Sequence, residues 1–198
     1  MNRRFIIAIS IFSLTTIVRA EPTTVPAAEP FTLRRQSDAP FAGDRRWSFE
    51  LMGVGNVDVT NRRTKMGGVR AGVGYYLYEN LALRLELTGY SVSTEPGDTS
   101  AIQGSFGFRQ HLLAWGRSSI FIDVGGGIFE AGRRVPEHGT DFNFTFHAGP
   151  GIAIPIADGL DFEGGVRYFH LSNAELEGRQ RNPSVNGPEF YLGLMYRM

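Results

Sequence analysis

A histidine and a serine stand two residues apart near the C-terminus, in the run Tyr168-Phe169-His170-Leu171-Ser172-Asn173. Side chains of an extended strand alternate, so His170 and Ser172 share one face. At ~3.3 Å of rise per residue their Cα atoms lie about 7 Å apart, a gap that side chains close to a hydrogen bond. In that geometry the imidazole takes the hydroxyl proton, the serine oxygen attacks an ester carbonyl, and the imidazole returns a proton to the leaving alcohol. A third group must hold the imidazole tautomer. Glu175, Glu177 and Glu189 lie in or beside the next loop, and Glu189 is preferred because it opens the following strand. The Asn173 amide is a candidate donor to the oxyanion, although by parity it points inward unless the strand has ended or bulged there. The face that carries the pair reads Leu160, Phe162, Gly164, Val166 and Tyr168, so nucleophile and base stand at the edge of an apolar surface. Taken alone, a His-x-Ser pair at a strand end is an ordinary polar rim, and its meaning depends on what positions it.

The same alternation recurs upstream. Trp47, Phe49, Leu51, Val57 and Val59 oppose Ser48, Glu50, Asn56 and Asp58. Val69, Ala71, Val73, Tyr75 and Leu77 oppose Arg70, Gly72 and Gly74, and Leu81, Leu83, Leu85 and Leu87 alternate with Ala82, Arg84, Glu86 and Thr88. Three further runs centre on Ile102 to Arg109, Ser119 to Ile128 and Phe142 to Ala148. The His170 strand is the seventh, and Phe190, Leu192, Leu194, Tyr196 and Met198 form an eighth.

Eight alternating strands fit a soluble sandwich or a small membrane barrel turned inside out. Connections near Glu79-Asn80, Trp115-Gly116 and Ala157-Gly159 are short, whereas those at residues 61–65, 93–100, 133–141 and 173–188 are longer and polar. Short turns on one rim, long loops on the other and an even strand number match an outer-membrane barrel. Arg84, Glu86, Asp123, Glu163 and Arg167 lie mid-strand on the polar face, where a barrel interior would pair them. The expected fold is therefore an all-β, eight-stranded antiparallel transmembrane β-barrel over residues 45–198. Trp47, Trp115, Tyr75, Tyr78, Tyr168 and Tyr196 suit interfacial girdles.

Residues 1–20 read as a secretory signal, with Arg3 and Arg4, an apolar run from Phe5 to Val18 and the small-residue site Val18-Arg19-Ala20. Residues 21–44, with Pro22, Pro26, Pro30 and Pro40, read as an extended or disordered lead-in. Twenty basic residues balance twenty acidic ones, which gives no sign of a nucleic-acid partner, and the absence of cysteine excludes thiolate catalysis and thiolate zinc sites. His111, His138 and His147 lack metal spacing and read as lining or loop residues. Gly125-Gly126-Gly127 has no following helix to make a phosphate site.

The string Tyr168-Phe169-His170-Leu171-Ser172-Asn173-Ala174, then Arg181-Asn182-Pro183-Ser184-Val185-Asn186-Gly187 and Glu189-Phe190-Tyr191, resembles the lipid A 3-O-deacylase (acyloxyacyl hydrolase) family of outer-membrane barrels. The likeness is concentrated in residues 167–191, with the motif itself at 168–189. It implies a Ser-His-Glu triad on the outer surface of a barrel in the bacterial outer membrane, removing the 3-O-linked acyl chain from lipid A of lipopolysaccharide without metal or organic cofactor. Carried over, Ser172 is the nucleophile, His170 the base, Asn173 an oxyanion-hole residue and Glu189 the acid. Pro188 precedes that glutamate, and Phe190 and Leu192 claim the outward face, so a bulge or late strand start is required and Glu175 or Glu177 stays open. Asn182 and Asn186 are expected to add loop contacts without a catalytic role. Two alternatives are a non-catalytic small barrel of adhesin or structural type and an outer-membrane phospholipase.

Overall fold

The computed structural model describes residues 34–35, 41–60 and 63–198. The expected signal segment and most of the lead-in lie outside them. Eight strands alternate direction: β1 Trp47–Val57, β2 Lys65–Tyr78, β3 Leu81–Ser93, β4 Thr99–Trp115, β5 Ser118–Val135, β6 Thr140–Ala157, β7 Leu160–Ser172 and β8 Val185–Arg197. Each pairs antiparallel with its chain neighbours, and β8 returns to pair with β1, so the sheet closes and leaves no edge. A two-residue strand, Arg34–Arg35, pairs with Leu113 and Ala114 of β4.

Burial follows the period of two read from the sequence, but with its usual sense inverted. On β3 the charged Arg84 and Glu86 are buried while Leu85 and Leu87 are more than half exposed. Phe106, Ile128, Leu192 and Phe190 add to an apolar outer wall. An outer belt of Leu, Ile, Val and Phe over a polar interior is the pattern of a barrel whose solvent is hydrocarbon. Trp47 and Tyr75 meet edge to face at 4.9 Å on the rim of two-residue turns, with Tyr78 and Tyr196 exposed beside them. Among the described residues no helix is long and apolar enough to cross a membrane.

The lumen is filled by ions. Arg70, Arg84, Arg109 and Arg167 interleave with Glu50, Glu86, Asp123, Glu163 and Glu189, all buried. Arg109 Nε meets Asp123 Oδ1 at 2.7 Å and its Nη1 meets Glu163 at 2.6 Å, while Arg84 links Asp123 at 2.8 Å to Glu50. Charges out of water persist only when each finds an opposite partner, and a guanidinium fork serves two carboxylates at once.

Three turns of two residues join the strands at one rim: Glu79-Asn80, Gly116-Arg117 and Asp158-Gly159. In two of them a glycine, Gly116 and Gly159, takes positive φ, which glycine adopts at no steric cost. At the opposite rim the connections span residues 58–64, 94–98, 136–139 and 173–184. The third is shorter than expected because β5 and β6 run on to Val135 and Thr140. The end of the lead-in also differs from expectation. Phe41 and Ala42 are buried at the short-turn rim, where Phe41 stacks on His111 at 3.8 Å and its carbonyl accepts from Arg197 at 2.5 Å. An aromatic ring placed over the lumen mouth has more to gain from packing there than from solvent.

Candidate active site

β7 runs toward the long-loop rim and delivers His170 and Ser172 to its end, both half-buried, on the outward face. Their odd-numbered neighbours Phe169 and Leu171 are fully buried inside, which fixes the parity of the strand without a bulge. His170 Nε2 lies 3.0 Å from Ser172 Oγ. This hydrogen bond is the one that the spacing predicts.

On the β6 side Phe146 pairs with His170 and Phe144 with Ser172, both exposed. Phe142 and Phe144 meet edge to face at 5.4 Å. Ser172 is thus bordered by an aromatic wall on one side. On the β8 side the residue opposite His170 is Asn186. Its Oδ1 lies 2.7 Å from His170 Nδ1 and accepts the Tyr168 hydroxyl at 2.7 Å. Its Nδ2 donates to Ser184 Oγ at 2.8 Å and to Thr60 Oγ1 at 3.3 Å. The backbone of Asn186 is held as well: its N–H donates to Asp58 Oδ1 at 3.3 Å, and its carbonyl accepts from Val59 N–H at 2.7 Å. Gly187 makes that clamp possible, because a Cβ there would fall 1.9 Å from the Val57 carbonyl oxygen.

Glu189 does not join the pair. β8 alternates without a break from Val185, so Glu189 faces the lumen, fully buried. There it accepts from Arg167 Nε at 2.8 Å, Arg70 Nη1 at 3.1 Å and Tyr90 at 2.9 Å. The bulge that would have turned it outward is absent from the β7–β8 register. Expecting it in the triad is therefore corrected: a carboxylate bonded to two arginines inside the barrel cannot also orient an imidazole on the outer face. Glu175 and Glu177 are exposed in the loop, Glu177 paired with Arg181 at 2.5 Å.

Asn173 is corrected in part. It is buried, its N–H donates to Asn182 Oδ1 at 3.0 Å, its Nδ2 donates to the Arg181 carbonyl at 2.7 Å, and its Oδ1 accepts from Glu175 N–H at 3.0 Å. With the N–H engaged and the side chain turned into the loop, Asn173 is a builder of the turn, and the oxyanion donor expected of it is not aimed at Ser172. The turn is a strained one: Ala174 and Glu175 both take positive φ, at 54° and 62°, and Leu176 N–H closes it on the Asn173 carbonyl at 3.1 Å. A short 3-10 turn, Arg179–Arg181, completes the loop.

The sequence suggested only a loop contact for Asn186, not its place against the imidazole. Outward parity from Phe190 and Leu192 back through Pro188 would have selected it, but which β8 residue faces His170 depends on the closure of a twelve-residue loop. Among the described residues no group of three His, Asp or Glu is placed to hold a metal ion. Chemically, the arrangement is a hydroxyl within proton-transfer distance of an imidazole that is anchored from behind, at the boundary between an apolar wall and polar loops.

A family model described as lipid A 3-O-deacylase (PagL) matches residues 63–195, which runs from before β2 to within β8 and takes in every residue of this site except Val57, Asp58, Val59 and Thr60. No curated protein matches the chain. Among solved structures, Neisserial surface protein A matches with a TM-score of 0.58 at 12% identity, over 77% of this chain and 96% of that one.

Proposed function

The chain belongs to the lipid A 3-O-deacylase family, and from that premise we propose that it is a serine esterase of the bacterial outer membrane that removes the acyl chain esterified at position 3 of lipid A. The observation that carries this reading is the 3.0 Å contact between His170 Nε2 and Ser172 Oγ on the outward face of β7. An ester in the outer leaflet reaches that face without leaving the bilayer. The long-loop rim is the outer rim in this reading.

Ser172 is the nucleophile. As its oxygen bonds to the ester carbonyl carbon, its proton passes to His170 Nε2. The tetrahedral intermediate collapses with cleavage of the bond to the sugar oxygen, and His170 returns the proton to that oxygen, freeing the 3-hydroxyl. Water then attacks the acyl-serine, giving its proton to His170, and the fatty acid leaves as Ser172 recovers its hydrogen. The exposed rings of Phe144 and Phe146 border the serine and supply an apolar surface for the acyl chain.

Expression in a Gram-negative host with no deacylase of its own tests this by mass spectrometry of lipid A. Loss of one hydroxyacyl chain with the native protein, and none with Ser172→Ala in a folded barrel, is expected. An unchanged lipid A mass with both proteins would overturn it in favour of a non-catalytic barrel. Release of glycerophospholipid fatty acid alone would overturn it in favour of a phospholipase.

A further inference from the structure

The four polar contacts of the Asn186 amide bear on a question that the His170–Ser172 contact leaves open, namely which imidazole nitrogen carries the hydrogen. An amide has one acceptor oxygen with two lone pairs and one nitrogen with two hydrogens, and here every one has a partner. Tyr168 and His170 Nδ1 converge on the oxygen at 2.7 Å each, while Ser184 and Thr60 receive the nitrogen's hydrogens. An oxygen with no hydrogen facing Nδ1 requires that Nδ1 be the protonated nitrogen. Nε2 is then the acceptor, and it faces Ser172 Oγ. The orientation is not an isolated rotamer, since the Asn186 backbone is bonded on both sides to the β1–β2 loop through Asp58 and Val59.

Resting on the esterase reading above, we propose that Asn186 is the positioning residue of the site: its neutral amide oxygen, steadied by the Tyr168 hydroxyl, holds His170 in the Nδ1–H tautomer, the role a carboxylate fills in a serine triad. The chain gives a reason for an amide in this place. The one acidic residue of β8, Glu189, faces the lumen, bonded to Arg70 and Arg167 on the opposite side of the wall. A carboxylate at 186 would stand at the hydrocarbon boundary, where the described structure pairs Asn186 with hydroxyls, an imidazole, the Val59 N–H and the Asp58 carboxylate, and with no arginine or lysine. An amide meets the geometric need without the desolvation cost of an unpaired charge. Asparagine as the third member of a nucleophile–histidine system has a physical precedent in the Cys-His-Asn arrangement.

The test is the 15N spectrum of the imidazole in the full-length protein, labelled at histidine and held in detergent micelles, compared with Asn186→Leu and Asn186→Asp. The native protein and the Asp variant are expected to show His170 with its hydrogen on Nδ1, because the Thr60 and Ser184 hydroxyls can turn to donate to the new carboxylate. The Leu variant is expected to shift toward the Nε2–H form and to lose kcat by about 10²-fold or more with KM little changed, while Asn186→Asp recovers the rate. An Nε2–H histidine in the native protein, or a Leu variant with unaltered spectrum and kcat, would overturn the inference. If Asn186→Leu fails to fold, as read by its heat-modifiable gel mobility, the native spectrum and Tyr168→Phe decide: Phe should lower kcat several-fold, and an unchanged kcat would count against the proposal. The esterase reading fails separately, through a protein that shows the Nδ1–H signature yet leaves lipid A intact.

Discussion

Among the described residues two histidine–serine hydrogen bonds stand in the barrel, one inside the lumen and one on the outer wall. His111 Nδ1 lies 2.7 Å from Ser119 Oγ, a closer contact than the 3.0 Å between His170 and Ser172. Yet His111 and Ser119 are buried in the lumen near the short-turn rim, the other ring nitrogen is taken by Tyr76 at 3.2 Å, and the Phe41 ring lies over the imidazole. His170 and Ser172 are half-exposed on the outer wall, bordered by bare phenylalanine rings and backed by an amide. Reactivity follows from access and from what holds the second nitrogen, and the length of the His–Ser contact does not decide it. The inner pair is a satisfied polar contact in a packed interior.

The largest effect that separates the two pairs is expected from Ser172→Ala, which should lower deacylation by at least about 10³-fold while the barrel still folds. Next comes Gly187→Ala. The new methyl group would collide with the Val57 carbonyl and push the start of β8, with Asn186, away from His170. Misplacement of about 1 Å costs on the order of 10²-fold, so a large fall in kcat is expected from a residue that touches no substrate, read in a variant whose gel mobility remains that of a folded barrel. Glu189→Gln sharpens the contrast between lumen and wall. Breaking a buried ion pair costs about 3–5 kcal/mol, so unfolding in urea should move substantially while activity per folded molecule stays within a few-fold. A loss as deep as that of Ser172→Ala would restore Glu189 to the triad. Smallest is Ser119→Ala, which leaves His111 without one partner and should cost about 1–3 kcal/mol of stability with activity unchanged.

The architecture was legible because a period of two carries its own meaning. The Leu81, Leu83, Leu85, Leu87 ladder against Arg84 and Glu86 marks two faces, and the ions on the polar face could be paired only by closing the sheet. The His170–Ser172 contact was legible for the same reason, since it lies within one strand. Glu189 and Asn186 were harder because they meet β7 across a loop, where register rather than local spacing selects the partner. Parity had already argued against Glu189, and the unbroken alternation of β8 upheld it. Three bonds inside the loop decided the orientation of Asn173, two of them to Arg181 and Asn182, residues that sequence spacing cannot choose. The burial of Phe41 and Ala42 was hidden by the proline-rich composition around them.

The most direct measurement is labelling of the folded protein in micelles with a serine-directed fluorophosphonate, followed by peptide mass mapping. The account predicts one phosphonylated serine, Ser172, with deacylation lost in proportion to labelling, and Ser119 unmodified. A label on another serine that abolishes activity, or full activity after Ser172 is modified, would contradict it.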